Sequence, residues 1–104
     1  MKTFKINGKT YIAKEFDFNL VCDFEDLGYQ MSEISKKPTS AVRAYFALCA
    51  DMPIDDAGKE IEKHIIAGGS LSAIMKAMSD EMTASDFFQA LSATTAKSNQ
   101  QTQG

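Results

Sequence analysis

Several things that would point to a particular function are missing from this sequence. Its 104 residues include no tryptophan, one histidine and two cysteines. No apolar run approaches the roughly 18 to 20 residues that a membrane-spanning helix requires, and the first residues lack the apolar core of a signal peptide. We therefore expect a protein that neither spans a membrane nor is secreted, and that works in the cytoplasm of the cell that makes it.

Basic charge is also scarce, with 11 Lys and Arg against 14 Asp and Glu, which gives a net charge of −3. Nucleic-acid-binding domains usually carry a basic patch, so we expect no nucleic-acid partner. Cys22 and Cys49 have no CxxC spacing and lie far from His64 in the sequence, so they do not form a zinc pattern. Free thiols that pack as small apolar groups are favoured over a disulfide or a reactive role. We predict no metal and no cofactor.

The most strongly patterned stretch is Asp51–Phe88, which predicts two amphipathic helices at about residues 53–67 and 70–91. Pro53 suits a first helical turn, while Gly68-Gly69 suits the corner between two helices. Apolar residues recur at spacings of three and four on one face of each helix: Ile54, Ala57, Ile61, His64 and Ile65 in the first, and Leu71, Ile74, Met75, Met78 and Met82 in the second.

The only clear strand pattern is at residues 3–13, where two alternating runs flank Asn7-Gly8. Asn-Gly favours a type I′ turn because both turn positions need a positive φ. This hairpin places Phe4 opposite Tyr11 and leaves Ile12 on the other face. Two further helices are predicted at about 17–28, where Asp17 is the N-cap, and at 40–50.

We therefore predict an α+β fold, mainly α-helical, with an N-terminal β-hairpin packed on a bundle of about four helices. Residues 1–91 form a single globular domain, and residues 92–104 are a polar, disordered tail with almost nothing to bury. The predicted core includes Phe24, Phe46, Ile61, Ile65 and Ile74.

Nothing in the sequence forms a convincing catalytic set. His64 is the only histidine, and its place near an apolar stripe favours a packed or boundary side chain over a catalytic base. The acid clusters Asp23-Glu25-Asp26 and Asp55-Asp56 are typical of solvated helix faces and first turns. The Gly68-Gly69-Ser70 stretch follows no strand and has no lysine that would complete a phosphate loop. We predict no catalytic residues.

We predict instead that five apolar side chains late in the chain bind a partner. Methionine adapts its shape to varied apolar partners, and aromatic residues anchor interfaces. The predicted partner-binding residues are Met75, Met78, Met82, Phe87 and Phe88. The alternative is that these side chains simply fill the core.

The order of these features resembles the tail assembly chaperones of long-tailed bacteriophages and of prophages in Gram-positive bacteria. The matching pieces are FKINGKTYIAKEFDFNLVCDFEDLG, then MPIDDAGKEIEKHIIAGGSLSAIMKAMSDEM, and finally SDFF. They cover roughly residues 2–91, and the middle loop is the least distinctive part. The chain departs slightly at Asp56, where a longer acidic residue is common in that family.

The resemblance implies a non-catalytic assembly factor. It would keep the tape measure protein soluble, recruit major tail tube subunits and be absent from the mature virion. A programmed frameshift would supply a longer form of the same chain as a further partner. Two alternatives remain: a small prophage-encoded regulatory or adaptor domain that binds a host protein, and an enzyme subunit that uses the acid clusters.

Overall fold

A computed structural model describes residues 2–34, 36–91 and 93. A two-stranded hairpin precedes five helices, and a further helical segment spans residues 86–91. The elements are β1 (Thr3–Ile6), β2 (Lys9–Ile12), α1 (Phe18–Asp26), α2 (Met31–Ile34), α3 (Pro38–Ala50), α4 (Ile54–Ile66) and α5 (Ser72–Ala84). The predicted α+β fold is confirmed. No helix in these ranges is both long and apolar enough to cross a membrane.

The hairpin has the predicted turn and register. Asn7 and Gly8 both adopt a positive φ, at 54° and 78°, as a type I′ turn requires. Phe4 lies opposite Tyr11, and its side chain is buried. Ile12 remains 54% exposed on the outer face, because the period of two along a strand places it opposite the buried side chains.

Helix α3 is central to the packing. It contacts each of the other four helices, α1, α2, α4 and α5, and it also contacts β2. Six of its residues are buried, three of them alanines that let neighbouring backbones approach: Ala41, Val42, Ala44, Tyr45, Phe46 and Ala47. The helix ends at Asp51, whose left-handed φ of 54° turns the chain toward α4.

Stacked aromatic rings form the centre of the core. Phe16 stacks on Tyr45 and on Phe24, with ring centroids 5.5 and 5.8 Å apart, and Phe88 meets Phe16 edge-on at 5.4 Å. The Tyr45 hydroxyl donates a hydrogen bond to the Lys14 carbonyl at 2.7 Å. The one polar atom of Tyr45 is thus paired, as a buried hydroxyl requires.

The core prediction was right for Phe24, Phe46 and Ile74, which are fully buried, but wrong for Ile65, which is 47% exposed. Ile61 is partly buried against the core. The physical reason is that α4 lies at the edge of the bundle and packs chiefly on α3. Of all its residues only Ala57 is buried, so one neighbour covers just part of the apolar face.

The predicted continuous helix at 70–91 is interrupted at Ser85, whose backbone is extended. The Ser85 hydroxyl donates to the Phe16 carbonyl and accepts a hydrogen bond from the Phe88 N–H at 2.9 Å. Serine thus caps a new helical segment and ties it to the core, which stabilises the break. The predicted tail at 92–104 lies outside the described residues, apart from Ala93.

Three isoleucine-to-alanine substitutions should rank by burial. Ile74→Ala should lower the free energy of unfolding by about 2 to 5 kcal/mol, because it leaves a cavity in a closed core. Ile61→Ala should cost less, and Ile65→Ala should stay within about 0.5 kcal/mol of the parent. Urea unfolding followed by circular dichroism measures all three. An Ile65→Ala loss as large as that of Ile74→Ala would contradict the peripheral position of α4.

Candidate functional site

The single histidine joins two distant parts of the chain. The Asn7 backbone N–H, in the hairpin turn, donates a hydrogen bond to His64 Nδ1 at 3.1 Å. His64 Nε2 lies 3.1 Å from the Ser70 carbonyl, just before α5. Because Nδ1 accepts, the ring proton is on Nε2, which donates to Ser70. We call this arrangement of Asn7, Glu60, His64, Gly69 and Ser70 the histidine joint.

The Asn7 side chain strengthens the same contact. Its Nδ2 group donates to the Glu60 carbonyl at 2.8 Å and to a Glu60 carboxylate oxygen at 2.9 Å. A hydrogen bond that ends on a charged acceptor is stronger than a neutral one. Asn7 therefore has two functions, since it supplies a positive φ to the turn and fastens the turn to α4.

The two glycines of the corner have different roles. Gly68 adopts a φ of +98°, the left-handed conformation that ends α4, and has open space where a Cβ would project. A Cβ on Gly69 would lie under 3.0 Å from the His64 ring. Gly68 is thus needed for its backbone conformation, and Gly69 for the room that it leaves to the histidine.

The sequence predicted the Gly68-Gly69 corner and a boundary position for His64, but it missed the joint. The Asn7–His64 contact spans 57 positions. Neither residue carries a local pattern that names the other as its partner. The only available signal was the position of His64 on the same predicted helix face as three isoleucines. A polar ring in an apolar stripe needs a hydrogen-bond partner, so a polar neighbour is favoured.

The five predicted partner-binding residues divide into two groups. Met78, which is 7% exposed, is in the core, and Met82 and Phe88 are partly buried and pack against it. Met75 is 42% exposed, and Phe87 is partly buried. The five residues therefore do not form one surface, because α5 turns Ile74, Ala77 and Met78 inward. A partner-binding role for all five stays a prediction.

An aromatic pair with one exposed member, Phe18, lies next to a groove between the start of α1 and the end of α5. Phe18 is 63% exposed and meets Phe87 edge-on, with the ring centroids 5.8 Å apart. Beside Phe87 is a groove of about 280 Å³, lined by the acidic residues Glu15, Asp17, Glu81 and Asp86. We call this pair and its four carboxylates the aromatic–acidic groove.

Sequence reasoning did not single out Phe18, although a signal was present. The inward stripe of α1 runs through Leu20, Val21 and Phe24, which are buried. At 3.6 residues per turn, Phe18 lies outside that stripe, beyond its Val21 edge. An aromatic residue in such a position has no place in the core of a small domain.

Within residues 2–34, 36–91 and 93, no group of three or more His, Cys, Asp or Glu side chains is placed to hold a metal ion. Asp55 and Asp56 lie in the first turn of α4 and are exposed. Acidic side chains in that position stabilise the positive end of a helix. The Asp55-Asp56 cluster therefore has a structural explanation.

Both cysteines are free thiols and partly buried. Cys49 Sγ accepts a hydrogen bond from the Lys14 N–H at 3.4 Å, and burial raises the pKa of this thiol. Burial also raises the pKa of the neighbouring Tyr45 hydroxyl. A thiol with a raised pKa is mostly protonated at neutral pH and is a poor nucleophile, so Cys49 is unsuited to catalysis.

These raised pKa values predict that the fold loses stability in alkali. The unfolded chain releases the two protons near the ordinary pKa values of 9.0 for cysteine and 10.0 for tyrosine, while the folded chain retains them. The unfolded state then binds fewer protons, so the free energy of unfolding falls as the pH rises above about 9. Urea unfolding between pH 7 and 10.5 measures this loss. Tyr45→Phe should show a shallower decline above pH 10, and an unchanged slope would contradict the assignment.

A double-mutant cycle tests the histidine joint. Gly69→Ala should cost about 1 to 3 kcal/mol, because the new methyl group collides with the His64 ring. That cost should largely disappear when His64→Ala is already present. Gly68→Ala is the matched control, since its cost of about 1 to 2 kcal/mol comes from a left-handed backbone and should add to that of His64→Ala. If urea unfolding shows that the costs of Gly69→Ala and Gly68→Ala both simply add to the cost of His64→Ala, the close Gly69–His64 contact is ruled out.

Comparison of the chain with protein-family models, with curated proteins and with solved structures finds no match.

Proposed function

We propose that this protein is a non-catalytic tail assembly chaperone of a long-tailed bacteriophage or prophage. In this role it keeps the tape measure protein soluble in the host cytoplasm and recruits major tail tube subunits around it. A longer, frameshifted form of the chain is a further proposed partner, and the mature virion lacks the protein.

The observation that carries this proposal is the way in which the resembling motifs meet in space. The NGK turn of the first matching piece contacts the EIEKH stretch of the second through hydrogen bonds from Asn7 to Glu60 and His64, and His64 in turn lies within hydrogen-bond distance of Ser70 in the GGS corner. Residues that make one joint must be present together for that joint to form. The resemblance in these pieces is therefore a resemblance in how the hairpin is fixed to the helices, which supports a shared fold.

The exterior of the domain is suited to binding apolar protein segments. Large apolar side chains are exposed at separate positions on the helices, including Phe18 at 63%, Ile66 at 78% and Met75 at 42%. Scattered exposed apolar groups of this kind are common on soluble domains, so they offer contact points for a partner without defining one surface. A tape measure protein that lacks its surrounding tube exposes long apolar helices. The exposed apolar side chains of this domain can cover those helices by packing alone, with no catalytic reaction.

Met75 gives a direct test, because it is exposed on α5 and its replacement should leave the core intact. Met75→Asp places a charge where an apolar helix must be desolvated, which opposes binding. We expect co-expression with the tape measure protein of the same genome to yield on the order of tenfold less soluble tape measure, as a loss of about 1.4 kcal/mol implies.

The matched control is Thr39→Asp, which adds the same charge at an exposed position in the first turn of α3, on a different helix. It should keep the tape measure as soluble as the parent does. Circular dichroism should show the parental helix content for both variants. A parent chain that leaves the tape measure insoluble would overturn the proposed function, and a fully active Met75→Asp variant would move the binding surface away from α5.

A further inference from the structure

The aromatic–acidic groove combines features that select a particular kind of partner. Phe18 and Phe87 present two rings at 83° to each other, and a large part of Phe18 is open to solvent. We propose that this groove binds a protein segment in which lysine or arginine flanks an apolar side chain. Under the proposed function, on which this identification rests, the segment belongs to the tape measure protein.

The floor of the groove is fixed by the core. Ser85 is hydrogen-bonded to the Phe16 carbonyl and to the Phe88 N–H, and Phe88 packs against the Phe16 ring. Phe87 lies between these two anchored residues, so its backbone is held while its ring faces Phe18. A preformed apolar site loses less conformational entropy on binding than a flexible one.

Charge identifies the occupant. None of the four ion pairs in the described part of the chain involves a carboxylate of the groove. Asp17 is engaged as the N-cap of α1, so Glu15, Glu81 and Asp86 are the carboxylates that leave a patch of negative charge beside Phe87. Lysine and arginine complement this patch, and their side chains also interact favourably with aromatic faces. Phosphate-bearing partners would be repelled.

The size of the groove favours side chains over a whole small molecule. Its volume of about 280 Å³ falls below the roughly 300 to 1,000 Å³ of typical ligand pockets. One apolar side chain would fit in the groove against Phe87, beside the adjacent Phe18 ring, while cationic neighbours one turn away on a helix would reach the carboxylates. An amphipathic helix presents this combination on one face.

Fluorescence anisotropy with overlapping peptides of the tape measure protein tests this inference on the full chain. The peptides that bind should carry an apolar residue within one helical turn of Lys or Arg. The double variant Glu81→Gln/Asp86→Asn should weaken their binding about tenfold, and Phe18→Ser should weaken it comparably. The loss from the charge variant should shrink at high salt, because ions screen exposed charges.

The matched control is Asp55→Asn/Glu62→Gln, which removes the same charge from exposed positions on α4. It should bind within about twofold of the parent, well under the tenfold step that 1.4 kcal/mol represents. Circular dichroism should confirm that all variants fold. Equal binding by groove and control variants overturns the groove assignment, while solubilisation of the tape measure by the parent would leave the proposed function standing.

Two other results would also overturn the inference. Sedimentation that shows a dimer in the parent and a monomer in Phe18→Ser would mean that a second copy occupies the groove. Solubilisation of the tape measure by a parent chain that binds none of its peptides would place the contact elsewhere. Absence of both solubilisation and peptide binding would overturn the proposed function together with the inference.

Discussion

The His64 ring provides the polar contact that joins the hairpin to the corner between α4 and α5. A two-stranded hairpin is barely stable alone, so it depends on the burial of Phe4 and Ile6 in the core. The histidine joint adds hydrogen bonds at the hairpin turn, beside a helix that buries only Ala57. Hydrogen bonds from the Asn7 N–H to the ring and from the ring to the Ser70 carbonyl join the hairpin, α4 and the start of α5. Gly69 leaves the space that the ring occupies. The aromatic core around Tyr45 then closes the other end of the fold, where Phe16, Phe24 and Phe88 meet.

The residues that hold the domain together are different from the residues that we propose to bind a partner. Residues in the most recognisable stretches, including Asn7, His64 and Gly69, are occupied in holding elements together. The side chains left for a partner lie elsewhere, at Phe18 and Met75, where the domain has no use for them in its core. An assembly chaperone must bind its partner and later release it. Separate apolar side chains with an acidic rim suit such reversible binding better than one large apolar face, which would favour a permanent complex.

Local patterns were enough to predict the hairpin and the helices, because turn chemistry and periodicity act over a few residues. Asn7-Gly8 determined the register, and Asp17 determined the start of α1. The errors arose where distant neighbours decide the outcome. The exposure of Ile65 depends on how many elements pack against α4, and the break at Ser85 depends on the Phe16 carbonyl, 69 positions away. For the candidate site, Phe87 was predicted from the sequence, whereas its partner Phe18 and the surrounding carboxylates required the folded chain.

Nuclear magnetic resonance of the His64 ring nitrogens tests the joint most directly. In the folded chain at neutral pH, Nδ1 should have the chemical shift of an unprotonated nitrogen that accepts a hydrogen bond, and Nε2 that of a protonated one. The Asn7 amide should exchange slowly with solvent and should lose that protection in His64→Ala. A proton on Nδ1, or a ring that averages between its two tautomers, would contradict the account, because Nδ1 could not then accept the Asn7 hydrogen bond.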